Sequence, residues 1–109
     1  MVELTKENFD AEVIQAEGVV FVDFWGDTCE PCLALMPEVH DFAEKNEGRA
    51  KFCGLNTNGN KRLAITQKVM GLPTFVFYKG GEKVFTFDKP AIEEGGIAAV
   101  QAKLDELLG

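Results

Sequence analysis

The chain has 109 residues, of which 46% are hydrophobic and 27% charged, with a formal net charge of −7 and three cysteines. That is material for a single domain over residues 1–109, since two cores would need a longer chain. The acidic balance argues against nucleic acid, whose phosphates reward Lys and Arg, and no run approaches the roughly 18 apolar residues of a membrane span.

From the amino end, Met1-Val2-Glu3-Leu4-Thr5-Lys6-Glu7 has neither the basic cluster nor the apolar run of a signal peptide, so a cytoplasmic location is expected. Thr5 reads as an N-cap, and a helix is predicted over residues 6–16, with Phe9, Val13 and Ile14 on one face and Gly18 at its end. Val19-Val20-Phe21-Val22-Asp23-Phe24-Trp25 is nearly continuous apolar, as in a central strand buried on both faces. Over residues 30–46 a helical stripe follows: Cys32, Leu35, Met36, Val39, Phe42 and Ala43, with Pro37 expected to kink it.

Ala50-Lys51-Phe52-Cys53-Gly54-Leu55 is the next predicted strand, residues 56–60 a turn, and residues 60–69 a short helix. After the break at Gly71-Leu72-Pro73, Thr74–Tyr78 and Lys83–Phe87 flank Lys79-Gly80-Gly81-Glu82 and read as a β-hairpin. Ile97, Val100, Leu104, Leu107 and Leu108 predict a closing helix whose first turn Gly95-Gly96 weakens. The β-α-β portion requires parallel pairing and the hairpin antiparallel pairing, which gives an α/β fold with a mixed sheet and helices on both faces.

The most informative segment lies between the first strand and the second helix: Asp23-Phe24-Trp25-Gly26-Asp27-Thr28-Cys29-Glu30-Pro31-Cys32. Two cysteines separated by two residues can cycle between dithiol and disulfide, and a helix start there favours the first one's thiolate. A pair of metal ligands and two inert packed cysteines are the other readings. A zinc site needs more ligands than Cys53 and His40 readily supply from their own regular segments.

This run, continued to Met36-Pro37, resembles the active-site stretch of the thioredoxin family. Gly71-Leu72-Pro73-Thr74 looks like that family's cis-proline turn and Lys79-Gly80-Gly81-Glu82 like its last hairpin turn, so the resemblance covers nearly the whole chain. It implies a thioredoxin fold with a central mixed sheet. The implied activity is thiol–disulfide oxidoreduction, in which Cys29 attacks a substrate disulfide and Cys32 resolves the mixed disulfide. It implies no bound cofactor and no metal. The expected partners are disulfide-containing proteins and a reductase, a flavoprotein being one option, with neither nucleic acid nor membrane, and the protein is expected to be a monomer. A disulfide-forming or isomerising enzyme and a non-catalytic binding module are the alternatives. The chain departs from the family at Thr28 (usually Trp), Glu30 (usually Gly), Leu33 (usually Lys) and Gly54, which stands where a lysine normally neighbours the buried aspartate.

Asp23 is the one charge in an apolar strand, where an unpaired carboxyl has a raised pKa. The resemblance makes it the proton acceptor for Cys32. Asp27 and Glu30 bracket Cys29. A carboxylate roughly 7 Å from a thiolate, at an effective dielectric near 40, disfavours it by about 1 kcal/mol. The helix end favours the thiolate by about 0.3–1 kcal/mol, so Cys29 is expected to be less acidic than in a typical thioredoxin and the couple more reducing. Pro31 suits a first helical turn. Trp25, Leu72, Pro73 and Thr74 are expected to form a docking surface on which an extended substrate pairs with the Leu72 backbone. Cys53 reads as a small buried hydrophobe and His40 as a solvated helix residue.

Overall fold

A computed structural model describes residues Met1–Gly109. In chain order it holds β1 (Val2–Leu4), a one-turn π-helix (Asp10–Ile14), β2 (Val19–Trp25), α1 (Glu30–Lys45), β3 (Lys51–Asn56), α2 (Lys61–Thr66), β4 (Thr74–Lys79), β5 (Glu82–Phe87) and α3 (Lys89–Leu108). The strands lie in the order β1-β3-β2-β4-β5. β3 runs parallel to both β1 and β2, while β4 is antiparallel to β2 and to β5. β2 is therefore central, which is why six of its seven residues are buried.

Alternation along β2 splits the interior into two cores. Val20, Val22 and Phe24 join Leu4, Phe9, Val13, Leu55, Val69 and Tyr78 on the side of the π-helix and α2. Phe21 turns to the other side, with Val39 and Phe42 of α1 and Val100 and Leu104 of α3. There its ring lies 5.3–6.0 Å from those of Phe42, Phe52, Phe75 and Phe77. Each such aromatic contact adds roughly 0.5–1.5 kcal/mol beyond area burial.

The hairpin turns on Gly80 and Gly81, both at positive φ (61° and 81°), the geometry a two-residue turn between twisted strands requires. A Cβ on Gly81 would stand 2.3 Å from the carbonyl oxygen of Ile14, so the turn is seated against the π-helix as glycine only.

Three elements differ from expectation. β1 is an additional strand, paired with β3 at Val2–Cys53, Glu3–Gly54 and Leu4–Leu55. The first helix is shorter than expected, a turn that runs into the π-helix Asp10–Ile14, but Thr5 does cap it, accepting from the Glu7 N–H at Oγ1 and from the Phe9 N–H at its carbonyl. α1 holds Pro37 inside one assigned helix, where the carbonyl of Leu33, four residues back, is deprived of its donor. α3 begins at Lys89, capped by the Asp88 side chain accepting from the Ala91 N–H, and is broken at Gly96 (φ 62°, ψ −166°). The stretch before Gly96 is an added helical segment, and the stretch after it carries the expected apolar positions from Ile97 to Leu108.

Candidate active site

The site forms where β2 ends and α1 begins, at the carboxyl ends of the parallel strands. Beyond Trp25 the chain is pinned to the loop after β3. The Trp25 carbonyl accepts from the Thr57 N–H at 2.7 Å and from its hydroxyl at 3.0 Å, and the Asp27 N–H donates to Asn58 Oδ1 at 3.2 Å. Gly26 is buried in this turn: a Cβ there would come within 3.1 Å of Asn58 Oδ1 and 3.2 Å of Leu72 Cδ1. Thr57 and Asn58, which fix the approach to the cysteines, carry no signal in a local reading because their partners lie some thirty residues away.

Cys29 is the N-cap of α1, in extended conformation, and its Sγ accepts from the Cys32 N–H at 3.2 Å. A thiolate at this atom faces unpaired N–H groups of the first turn and the positive end of the helix. Pro31 stands in that turn, where a missing N–H is tolerated. Cys29 and Cys32 are joined as a disulfide with Cα atoms 5.3 Å apart. The two sulfurs are unequal: Cys29 is half-buried, whereas Cys32 is 2% exposed.

Asp23 lies one alternation beyond Phe21 and so faces the α1 side of the sheet. It is 2% exposed, and its Oδ1 has no hydrogen-bond partner. Burial pushes its carboxyl from 3.8 up to about 7. Its neighbours in register are Gly54 on β3 and Phe75 on β4, so no strand offers it a cation. It opens on a cavity also lined by Trp25, Leu33, Met36, His40 and Gly54, and Leu33 is the residue after Cys32.

The Leu72–Pro73 bond is cis. Pro73 and Thr74 are buried, and the Thr74 hydroxyl donates to the Gly71 carbonyl at 2.7 Å, tying its own turn. Trp25 and Leu72 are half-buried, and the Leu72 N–H and C=O take part in no backbone hydrogen bond. Asp27, Glu30 and Pro31 are exposed, as are Leu33 and Met70. Cys53 is buried on the opposite face from Asp23, its thiol pushed up to about 12, chiefly by burial. It is packing, and is not part of the site.

The family model described as Thioredoxin matches residues 1–102. The chain is 48% identical over 103 residues to a thioredoxin of Peptoclostridium acidaminophilum, covering 94% of each chain. It is 41% identical over 108 residues to a thioredoxin of Acetoanaerobium sticklandii, covering 99% of this chain and all of the relative. A thioredoxin of Chlorobaculum thiosulfatiphilum is 35% identical over 107 residues, covering 98% and 95%. With Cys29 and Cys32 bonded at the head of α1, the chain belongs to the thioredoxin family and is a thiol–disulfide oxidoreductase that exchanges electrons with disulfide substrates and a reductase.

Proposed function

We propose that the reduced protein acts as a reductant of protein disulfides, with Cys29 as nucleophile, Cys32 as resolving thiol and Asp23 as internal base. The Cys29 thiolate attacks one sulfur of a substrate disulfide, forms a mixed disulfide and expels the first substrate thiolate. Cys32 then gives its proton to the Asp23 carboxylate and attacks Cys29 Sγ, releasing the second substrate thiolate and leaving the Cys29–Cys32 disulfide. Two electrons pass to the substrate, and a reductase, a flavoprotein on this reading, restores the dithiol.

The observation that carries the assignment is the inequality of the two sulfurs: Cys29 half-buried at the N-cap, Cys32 2% exposed one turn in. Recognition is assigned to the cis-proline turn, where the unpaired Leu72 backbone can add an extended substrate segment beside Trp25. Pro73 shapes that turn from beneath, and Thr74 supports it from inside rather than walling it. One domain over residues 1–109, a monomer working in the reducing cytoplasm, completes the reading. One pair for chemistry and one buried thiol suit such a compartment. No helix is long and apolar enough to cross a membrane.

Trapping tests the order of attack. Cys32→Ser should accumulate a mixed disulfide with insulin through Cys29, and Cys29→Ser should accumulate none. Equal trapping by the two variants, or trapping at Cys32 alone, contradicts it.

A further inference from the structure

Gly54 leaves an opening beside the buried carboxyl. It pairs in register with Asp23 on one side and Glu3 on the other, and a Cβ added to it would make only ordinary contacts, 3.5 Å to Trp25 Nε1 and 3.9 Å to Met1 Cε. The resulting cavity, about 350 Å3, runs from Asp23 to the exposed side chains of Glu3 and His40. Its walls are mostly apolar, but it is polar at both ends, at the unpartnered Asp23 Oδ1 inside and at Glu3 and His40 outside, and its volume exceeds the roughly 30 Å3 share of one water many times over, which leaves room for waters held between those ends.

Cys32, Met36 and His40 recur at four-residue spacing and lie along one face of α1; Met36 and His40 both line the Asp23 cavity. His40 also borders a second cavity, on whose wall stand the carboxylates Glu44 and Glu47. Of the elements packed around Asp23, β3 contributes Gly54 and β4 Phe75, neither ionisable; β1 contributes Glu3, Met1 before it carries the terminal amine, and α1 contributes His40. Among these the imidazole stands on α1, the helix that carries Cys32, and can take up and surrender a proton through its two ring nitrogens.

We propose that His40 is the relay through which Asp23 exchanges its proton with bulk solvent across the Gly54 cavity. The proposal rests on Asp23 accepting the Cys32 proton. After the Cys29–Cys32 disulfide forms, the protonated Asp23 carboxyl passes its proton through cavity water to the neutral His40 imidazole. The imidazolium then releases it to solvent, and Asp23 returns to carboxylate. When the reductase reopens the disulfide, the same path runs inward and protonates the Cys32 thiolate. No electron moves in the relay, and each proton that enters it leaves it.

The test is single turnover of the reduced full-length protein with dithiobis(nitrobenzoate), whose acidic product thiols stay ionised and take up no proton, in weakly buffered solution near neutral pH. Trp25 fluorescence would report disulfide closure and an indicator dye proton release. His40→Gln is expected to slow proton release by about threefold or more relative to closure, with imidazole added as buffer restoring the parent rate. Gly54→Leu, which fills the cavity, is expected to slow release similarly and to resist rescue by imidazole. Release at the parent rate in either variant, or a His40→Gln defect that imidazole leaves unchanged, overturns the relay. Asp23→Asn separates the two layers. Slowed closure in Asp23→Asn beside normal release in His40→Gln removes the relay alone, whereas normal closure in Asp23→Asn removes the base and the relay together.

Discussion

Asp23 makes stability depend on pH through a carboxyl raised from 3.8 to about 7 by burial. Between those values the folded chain keeps a proton that the unfolded chain has lost. Stability is therefore full below the unfolded pKa, falls as pH rises toward about 7, and stays low above it. A shift of about three units corresponds to about 4 kcal/mol of destabilisation at alkaline pH. Asp23→Asn, which removes the charge and keeps the shape, is expected to be more resistant to urea than the parent at about pH 8, the gain shrinking toward zero by about pH 4. A gain independent of pH contradicts the assignment. Glu30 acts on the neighbouring thiol in a simpler way: it places a negative charge one residue from Cys29 in the first turn of α1. Glu30→Gly is expected to raise the alkylation rate of Cys29 at neutral pH by about twofold to fivefold, less in high salt because Glu30 is exposed. An unchanged or lowered rate contradicts it.

At the scale of elements, much of the architecture was legible because its signals are local. The apolar run at Val19–Trp25, the stripe from Cys32 to Ala43 and the paired glycines of the hairpin each declare their element within a few residues. What was missed depends on distant partners. β1 is three residues long and exists because Val2, Glu3 and Leu4 find β3 some fifty positions on. The end of α1 is secured in the same non-local way. Asn46, 3% exposed, donates to the Phe42 carbonyl at 2.7 Å and exchanges hydrogen bonds with the Gln101 amide of α3, and Arg49 bridges Asn46 to Asp105. The paired glycines show a finer limit, since sequence marks both alike and only packing distinguishes them. Gly80→Ala meets nothing within 4 Å and is expected to cost about 1 kcal/mol for its positive φ alone. Gly81→Ala must also displace the Ile14 carbonyl and is expected to cost about 2–3 kcal/mol more in chemical denaturation. Equal costs at the two positions contradict this account of the turn.

In the whole molecule, the mixed sheet brings three separate stretches to one end: the cysteines at the head of α1, the cis-proline turn before β4, and the Thr57–Asn58 loop after β3. The cysteines and Asp23 were readable from residue type and spacing. Leu72 and Pro73 were readable from the family resemblance. The meeting of Asp23, Gly54 and His40 at one cavity was not, because His40, exposed as expected, reaches that cavity only once α1 is laid across the sheet. Thr74 looked like a surface wall for a related reason: the inward turn of its hydroxyl is set by the fold of its own loop. Anionic neighbours set against the helix end at Cys29 are expected to make this domain a reductant. The most direct test is the reduction potential of the Cys29–Cys32 couple, measured by equilibration with thiol buffers and quantitation of free thiols. A value at or below about −270 mV is predicted, and a value above about −200 mV, in the range of disulfide-forming and isomerising enzymes, would contradict it.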